Sequence, residues 1–127
     1  MKILVSVVLL FLTLFANNIQ TLRPSPYQFV KITMGHNKPT FLEVGSDNCP
    51  GCIKMGKKLY QVKNIHPEYQ LHYINIEGDR QTADELQVNI IPTQIIYDSH
   101  AKEIYRHVGV LEDRELYQVL QKYGFEK

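Results

Sequence analysis

The chain has 127 residues, which is the size of a single domain. Fourteen Lys and Arg residues face 13 Asp and Glu residues, 44% of the residues are hydrophobic, and the formal net charge is +1. This composition is that of a globular protein, and the small net charge gives no electrostatic basis for nucleic acid binding. The two cysteines are too few for a disulfide-rich scaffold or for a four-cysteine zinc site.

The first 16 residues combine a positively charged start with an apolar run from Ile3 to Ala16. This pattern is typical of a secretory signal peptide, and the run is shorter than the ~20 residues of a membrane span. We therefore predict a signal peptide over residues 1–16. An uncleaved membrane anchor stays an alternative, because Leu14 is larger than the small residue expected near a cleavage site, and a buried N-terminal helix is another. Export would place the cysteines where thiols can be oxidised.

The remaining residues predict one domain over 27–127, preceded by a linker or extended arm over 17–26 that contains Pro24 and Pro26. Periodicity and turn residues predict, in chain order, a helix over 27–34, a strand over 40–44, a helix from residue 52, a strand over 71–76, a short helix over 82–86, strands over 93–97 and 103–108, and a helix over 113–123. The first strand–helix–strand unit requires a parallel pair with a right-handed crossover, and the last two strands form a hairpin. The predicted fold is α/β, with a central mixed four-stranded sheet flanked by helices.

The two cysteines lie in the segment Cys49-Pro50-Gly51-Cys52, between a strand with its turn and a helix. At a helix start the backbone N–H groups lack partners and the helix dipole is positive. Both effects favour a thiolate at Cys49, which would make it the nucleophile. Pro50 suits the first helical turn, and Cys52, one turn further in, is placed to resolve a mixed disulfide.

Two other interpretations of the cysteine pair are open. A structural disulfide across so small a loop would constrain little of the unfolded chain. A metal site would need further ligands, and no histidine is paired in spacing with the cysteines. The histidines His72 and His107, which lie in predicted strands, are interpreted as surface or half-buried residues. We favour a redox-active pair that uses neither a metal nor a cofactor.

Four features at distinct places in the chain together resemble the thioredoxin superfamily of thiol–disulfide oxidoreductases. They are the Cys49/Cys52 pair, the segment Ile91-Pro92-Thr93, Gly109 after the last strand, and Glu43 six residues before Cys49. The likeness covers nearly all of residues 27–127. It implies a thioredoxin-like fold in which the proline of the second feature is cis and lies beside the cysteines.

The resemblance also implies a role for each matched residue. Glu43 would be buried, its pKa would be raised by desolvation, and it would accept the proton of Cys52; a carboxylate satisfied by a local hydrogen bond is the alternative. The backbone of Ile91 would face outward and pair with an extended substrate segment. The predicted substrate-binding residues are Ile91, Pro92, Thr93, Gly109, Pro50 and Gly51.

The chain departs from the usual thioredoxin motif Trp-Cys-Gly-Pro-Cys in several ways. The pair between the cysteines is reversed, and the chain contains no tryptophan. The lysine that partners the buried acid in the family falls near Tyr73, so that charge pair is lost. Ile90 stands where many members have a glycine, and Asp47 beside the motif would oppose an extreme drop in the thiol pKa.

The direction of electron flow is predicted from the resemblance as well. Ile91 before the proline is similar to reducing thioredoxins, and the chain has no room for the inserted helical or dimerisation domains of many exported oxidants and isomerases. We therefore predict a periplasmic, monomeric reductant that acts on disulfides of exported proteins and is kept reduced by a membrane electron donor. The alternatives are a periplasmic oxidant or isomerase, and a non-catalytic binding module with a static disulfide.

Overall fold

Helices and strands follow one another in the predicted order in a computed structural model that describes residues 20–126. The predicted signal peptide lies outside the described residues. The elements are α1 (Tyr27–Thr33), β1 (Thr40–Gly45), α2 (Pro50–Ile65), β2 (Gln70–Asn75), α3 (Arg80–Leu86), β3 (Thr93–Tyr97), β4 (Glu103–Val108) and α4 (Asp113–Lys122).

Two helices begin two residues earlier than the periodicity predicts, because each is capped by a side chain that the apolar pattern does not include. The side chain of Cys49 accepts from the backbone N–H of Cys52, so α2 begins at Pro50. The side chain of Asp79 accepts from the backbone N–H of Thr82, so α3 begins at Arg80. Such caps satisfy the N–H groups that a helix start leaves without partners.

The four strands form one mixed sheet in the order β2-β1-β3-β4. Strand β1 pairs in parallel with β2 and antiparallel with β3, and β3 pairs antiparallel with β4. The predicted α/β fold with a mixed four-stranded sheet is therefore confirmed. The parallel pair places the carboxyl end of β1, and with it the cysteine segment, at the same sheet edge as the carboxyl end of β2.

Helices cover both faces of the sheet, because successive side chains of a strand point to opposite faces. On one face Phe41 of β1 packs with the apolar side of α2 and α4, in a core that includes Met55, Leu59, Leu116 and Leu120. On the other face Leu42, Val44 and Ile95 pack with side chains of α1 and α3, among them Val30 and Leu86. Burying each large aliphatic side chain contributes about 1.5–3 kcal/mol.

The described part of the predicted linker or arm lies along the domain as an extended arm. Its Leu22 N–H donates to the carbonyl of Gly56 in α2 at 3.0 Å, and its Ser25 N–H donates to the carbonyl of Tyr73 in β2 at 2.8 Å. Pro24 forms an isolated bridge with Tyr73. Across residues 20–126, none of the helices has the length and apolar character needed to cross a membrane.

Candidate active site

The cysteine pair lies at the start of α2, with Cys49 as the N-cap and Pro50 in the first turn. Cys49 and Cys52 are joined as a disulfide, with their Cα atoms 5.1 Å apart. The N–H of Cys52 donates to Sγ of Cys49 at 3.3 Å. Cys49 is half-buried, whereas Cys52 is only 4% exposed. Cys49 is therefore the sulfur that a substrate can reach, and a backbone N–H faces the charge that its thiolate would carry.

Two glycines allow the cysteine segment to pack closely against its surroundings. A Cβ on Gly45, at the end of β1, would lie 2.7 Å from Sγ of Cys52, so the inner cysteine rests directly on this glycine. A Cβ on Gly51 would lie 3.2 Å from Cδ of Pro92 and 3.2 Å from Val110. The first turn of α2 is thus in close contact with the proline segment, which is 40 residues away in the sequence.

The proline segment presents free backbone groups beside the cysteines. The peptide bond between Ile91 and Pro92 is cis. Within the described part of the chain, neither the N–H nor the C=O of Ile91 has a hydrogen-bond partner. Ile91 is half-buried, and the side chain of Thr93 turns back to bond the carbonyl of Ile90 at 2.5 Å. Free groups of this kind can pair with an extended peptide.

Gly109 braces the proline segment from the end of β4. Its N–H donates to the carbonyl of Pro92 at 2.8 Å, and its own carbonyl accepts from Nε2 of Gln94 at 2.9 Å. Its φ of +103° lies in the region that favours glycine. A Cβ at this position would meet nothing within 4 Å, so backbone conformation rather than crowding requires the glycine.

Glu43 is fully buried in the middle of β1. It lies on the same face as Gly45, about 7 Å along the strand, and therefore beneath the inner cysteine. Its Oε2 accepts from Nε2 of Gln94 at 3.1 Å, whereas its Oε1 has no partner among the described residues. Burial raises the pKa of Glu43 well above its usual value, and the hydrogen bond from Gln94 opposes that rise.

The strand register aligns Glu43 with Tyr73 on β2 and with Gln94 on β3, and Gln94 in turn with His107 on β4. Tyr73, near which the resemblance places a lysine in other members, is therefore the β2 residue aligned with Glu43. Its hydroxyl donates to Asp47 Oδ1 at 2.8 Å, and burial, followed by this hydrogen bond, raises its pKa. These four side chains form a polar row across one face of the sheet.

Sequence reasoning missed the role of Gln94 and treated His107 as an ordinary strand residue. Gln94 is fully buried, and its Oε1 lies 2.7 Å from Nδ1 of His107, which is half-buried. The available signal was the single amide in the strand Thr93–Tyr97, because a buried polar side chain requires hydrogen-bond partners. No three His, Cys, Asp or Glu side chains between residues 20 and 126 are grouped as a metal site requires.

The family model of the thioredoxin-like domain matches residues 28–124, so the chain belongs to this family. The fold is similar to that of thioredoxin f2 from Chlamydomonas reinhardtii, with a TM-score of 0.70 and 13% identity over 84% of this chain and 99% of that one. A thioredoxin from Nicotiana alata gives 0.67 and 20%, over 76% and 84%. A thioredoxin-like protein from Clostridium perfringens gives 0.60 and 24%, over 72% and 75%.

At these identities the solved structures show the fold alone. A comparison with curated protein sequences gives no match. The family and the reachable Cys49 beside the buried Cys52 together support a thiol–disulfide oxidoreductase.

Proposed function

We propose that this protein reduces disulfides of exported proteins through a dithiol–disulfide cycle of Cys49 and Cys52. One observation carries the proposal: a reachable Cys49 caps α2, a buried Cys52 lies one turn further in, and the free backbone groups of Ile91 lie on the segment packed against that turn. This arrangement provides a nucleophile, a resolving thiol and a place for an extended substrate in one site.

The first step is attack by the Cys49 thiolate on a substrate disulfide. A bond forms between Sγ of Cys49 and one substrate sulfur, and the other substrate sulfur leaves as a thiolate that takes a proton from water. The N–H of Cys52, which donates to Sγ of Cys49, stabilises the attacking thiolate before the step. Attack requires the thiolate, so this stabilisation sets the fraction of protein that can react.

The second step is resolution of the mixed disulfide by Cys52. Its thiol gives its proton to the carboxylate of Glu43 by way of a bridging water, and its sulfur then attacks Sγ of Cys49. The intramolecular disulfide forms as the second substrate sulfur leaves and takes up a proton. The substrate has gained two electrons and two protons, the cysteine pair has lost two electrons, and a dithiol donor must return them.

The surface around the cysteines suits segments of unfolded or extended chain. The side chains of Ile53, Ile90 and Val108 are 39%, 63% and 51% exposed, and each is adjacent in sequence to a site residue. Exposed apolar side chains next to reactive residues are groups that a binding surface can use. An extended substrate would pair its backbone with that of Ile91, and its apolar side chains would pack on Ile53, Ile90 and Val108.

Several features support reduction rather than oxidation or isomerisation. Ile91 precedes the proline, as in the reducing members of the family that the sequence resembles. The stretch between β2 and β3 contains only the seven-residue α3, so no helical domain is inserted there. The signal-peptide pattern of residues 1–16 supports export, and a membrane-bound dithiol is the donor that an exported reductant needs.

We expect the Cys49/Cys52 pair to have a reduction potential near −270 mV, which is about that of thioredoxin. The potential is measured by equilibrating the protein in glutathione buffers of graded composition and alkylating the free thiols. A Cys49→Ser, Cys52→Ser double variant corrects for background alkylation. A value near −120 mV, about that of strong oxidants, or near −180 mV, about that of isomerases, would contradict the proposed direction.

A further inference from the structure

Both the nitrogen and the oxygen of the Gln94 side-chain amide form hydrogen bonds within the polar row. Nε2 lies 3.1 Å from Oε2 of Glu43 and 2.9 Å from the carbonyl of Gly109. Oε1 lies 2.7 Å from Nδ1 of His107. One amide is therefore hydrogen-bonded to Glu43, to the Gly109 carbonyl and to the half-buried imidazole of His107.

The chemistry of the partners fixes the orientation of this amide. The Gly109 carbonyl can only accept a hydrogen bond, so it must face the NH₂ group of Gln94. The oxygen of Gln94 then faces His107, whose Nδ1 must carry a proton to donate to it. The positions of Nε2 and Oε1 of Gln94 are therefore determined by Gly109 and His107, independently of Glu43.

We propose that His107 is a positioning residue for thiol–disulfide exchange, which holds the Gln94 amide with its NH₂ group toward the buried carboxyl of Glu43. The inference rests on the proposed function, because it assigns how the proton acceptor of Cys52 is set. Among the described residues, His107 forms no hydrogen bond with the cysteines or with the proline segment. It therefore acts through Gln94.

The Gln94 hydrogen bond matters because few other groups can stabilise charge on Glu43. The titratable groups that face it are Tyr73 from β2, whose hydroxyl is bonded to Asp47 in the loop before α2, Cys52 from α2, and His107 through Gln94. None of these contacts Glu43 with a hydrogen bond in the described residues, and its Oε1 has no partner there. The amide is therefore the group that opposes the effect of burial.

The same amide also connects the acid with the substrate groove. The chain of hydrogen bonds runs from Glu43 through Gln94 to the Gly109 carbonyl, and from the Gly109 N–H to the carbonyl of Pro92. A change in the hydrogen bond between His107 and Gln94 therefore affects both Glu43 and the contact between Gly109 and Pro92. Loss of His107 is therefore expected to alter proton transfer from Cys52.

The test is a titration of the Glu43 carboxyl carbon by nuclear magnetic resonance in the oxidised protein, which needs no turnover. Glu43→Gln assigns the signal. We expect Gln94→Leu to raise the apparent pKa of Glu43 by about one unit, because a hydrogen bond to the carboxylate is lost. His107→Ala should shift it in the same direction by less. His107→Asn, whose side-chain N–H can replace Nδ1–H, should restore it, and His100→Ala in the exposed β3–β4 loop should leave it unchanged.

Two results would contradict this role of His107. If His107→Ala titrates as the wild type, or if His107→Asn fails to restore the titration, His107 has only a structural role and the inference is wrong. The His107 variants keep the test open if Gln94→Leu does not fold. Shifted titrations in a protein that does not reduce disulfides would overturn the proposed function alone, and unshifted titrations in an active protein would overturn this inference alone.

Discussion

A Cys52→Ser variant, offered an oxidised substrate, is expected to accumulate a mixed disulfide through Cys49. The half-buried Cys49 can still attack, whereas the buried sulfur that would resolve the product is gone. A Cys49→Ser variant should trap nothing and should lose disulfide reduction by at least about a thousandfold, because a hydroxyl cannot replace the thiolate. Non-reducing electrophoresis and mass spectrometry of the conjugate measure both results.

The two single variants serve as controls for each other, because both remove the disulfide and differ only in which sulfur remains. A conjugate that forms on Cys49→Ser and not on Cys52→Ser would reverse the assigned roles. A conjugate on both would mean that the 4% exposure of Cys52 does not protect it in the reduced protein. Either result would contradict the division of roles that the N-cap geometry supports.

Replacing Glu43 with leucine is expected to stabilise the fold at alkaline pH and to slow resolution of the mixed disulfide. Burial raises the folded-state pKa of Glu43 above its unfolded value. The contribution of Glu43 to stability is therefore highest below its unfolded pKa, falls as the pH rises toward its folded pKa, and is constant above it. The variant should lack this loss, which is about 1.4 kcal/mol for each unit of pKa elevation.

The Glu43→Leu variant also lacks the group that accepts the proton of Cys52. Without its acceptor, resolution should slow by about a hundredfold near neutral pH, as loss of a general base does. The rates should converge at high pH, where Cys52 ionises without help. Urea unfolding between pH 4 and 9 measures the free energy of unfolding, and stopped-flow kinetics measure the rate of resolution. Glu43→Gln is the uncharged polar control in both experiments. A stability difference independent of pH would contradict the assigned titration.

Local pattern was enough to predict most of the fold. The strands over 93–97 and 103–108 have the predicted bounds, because two short runs joined by a hairpin-length loop define a hairpin without distant contacts. Apolar periodicity alone places the starts of α2 and α3 two residues late, since the side chains of Cys49 and Asp79 form the caps. For α2 the cysteine segment itself indicates that Pro50 lies in the first turn. A cysteine is not among the residues from which a helix start is usually recognised.

The polar row could not be predicted from sequence, because it depends on which strands pair and in what register. Glu43 and Gln94 are 51 residues apart and become neighbours only when β3 pairs antiparallel with β1. The contact between Gly45 and Cys52 likewise depends on how the end of β1 packs against α2, which the sequence pattern does not show. The cysteine pair could be singled out from its spacing and its place at a helix start, whereas the proline segment is marked by the family resemblance.

Reduction of insulin disulfides with dithiothreitol as electron donor tests the proposed activity most directly. We expect the protein to accelerate precipitation of the insulin B chain well above the rate with dithiothreitol alone, and the Cys49→Ser variant to show no acceleration. A folded wild-type protein, verified by circular dichroism, that gives no acceleration would contradict a thiol–disulfide oxidoreductase and would indicate a binding module with a static disulfide.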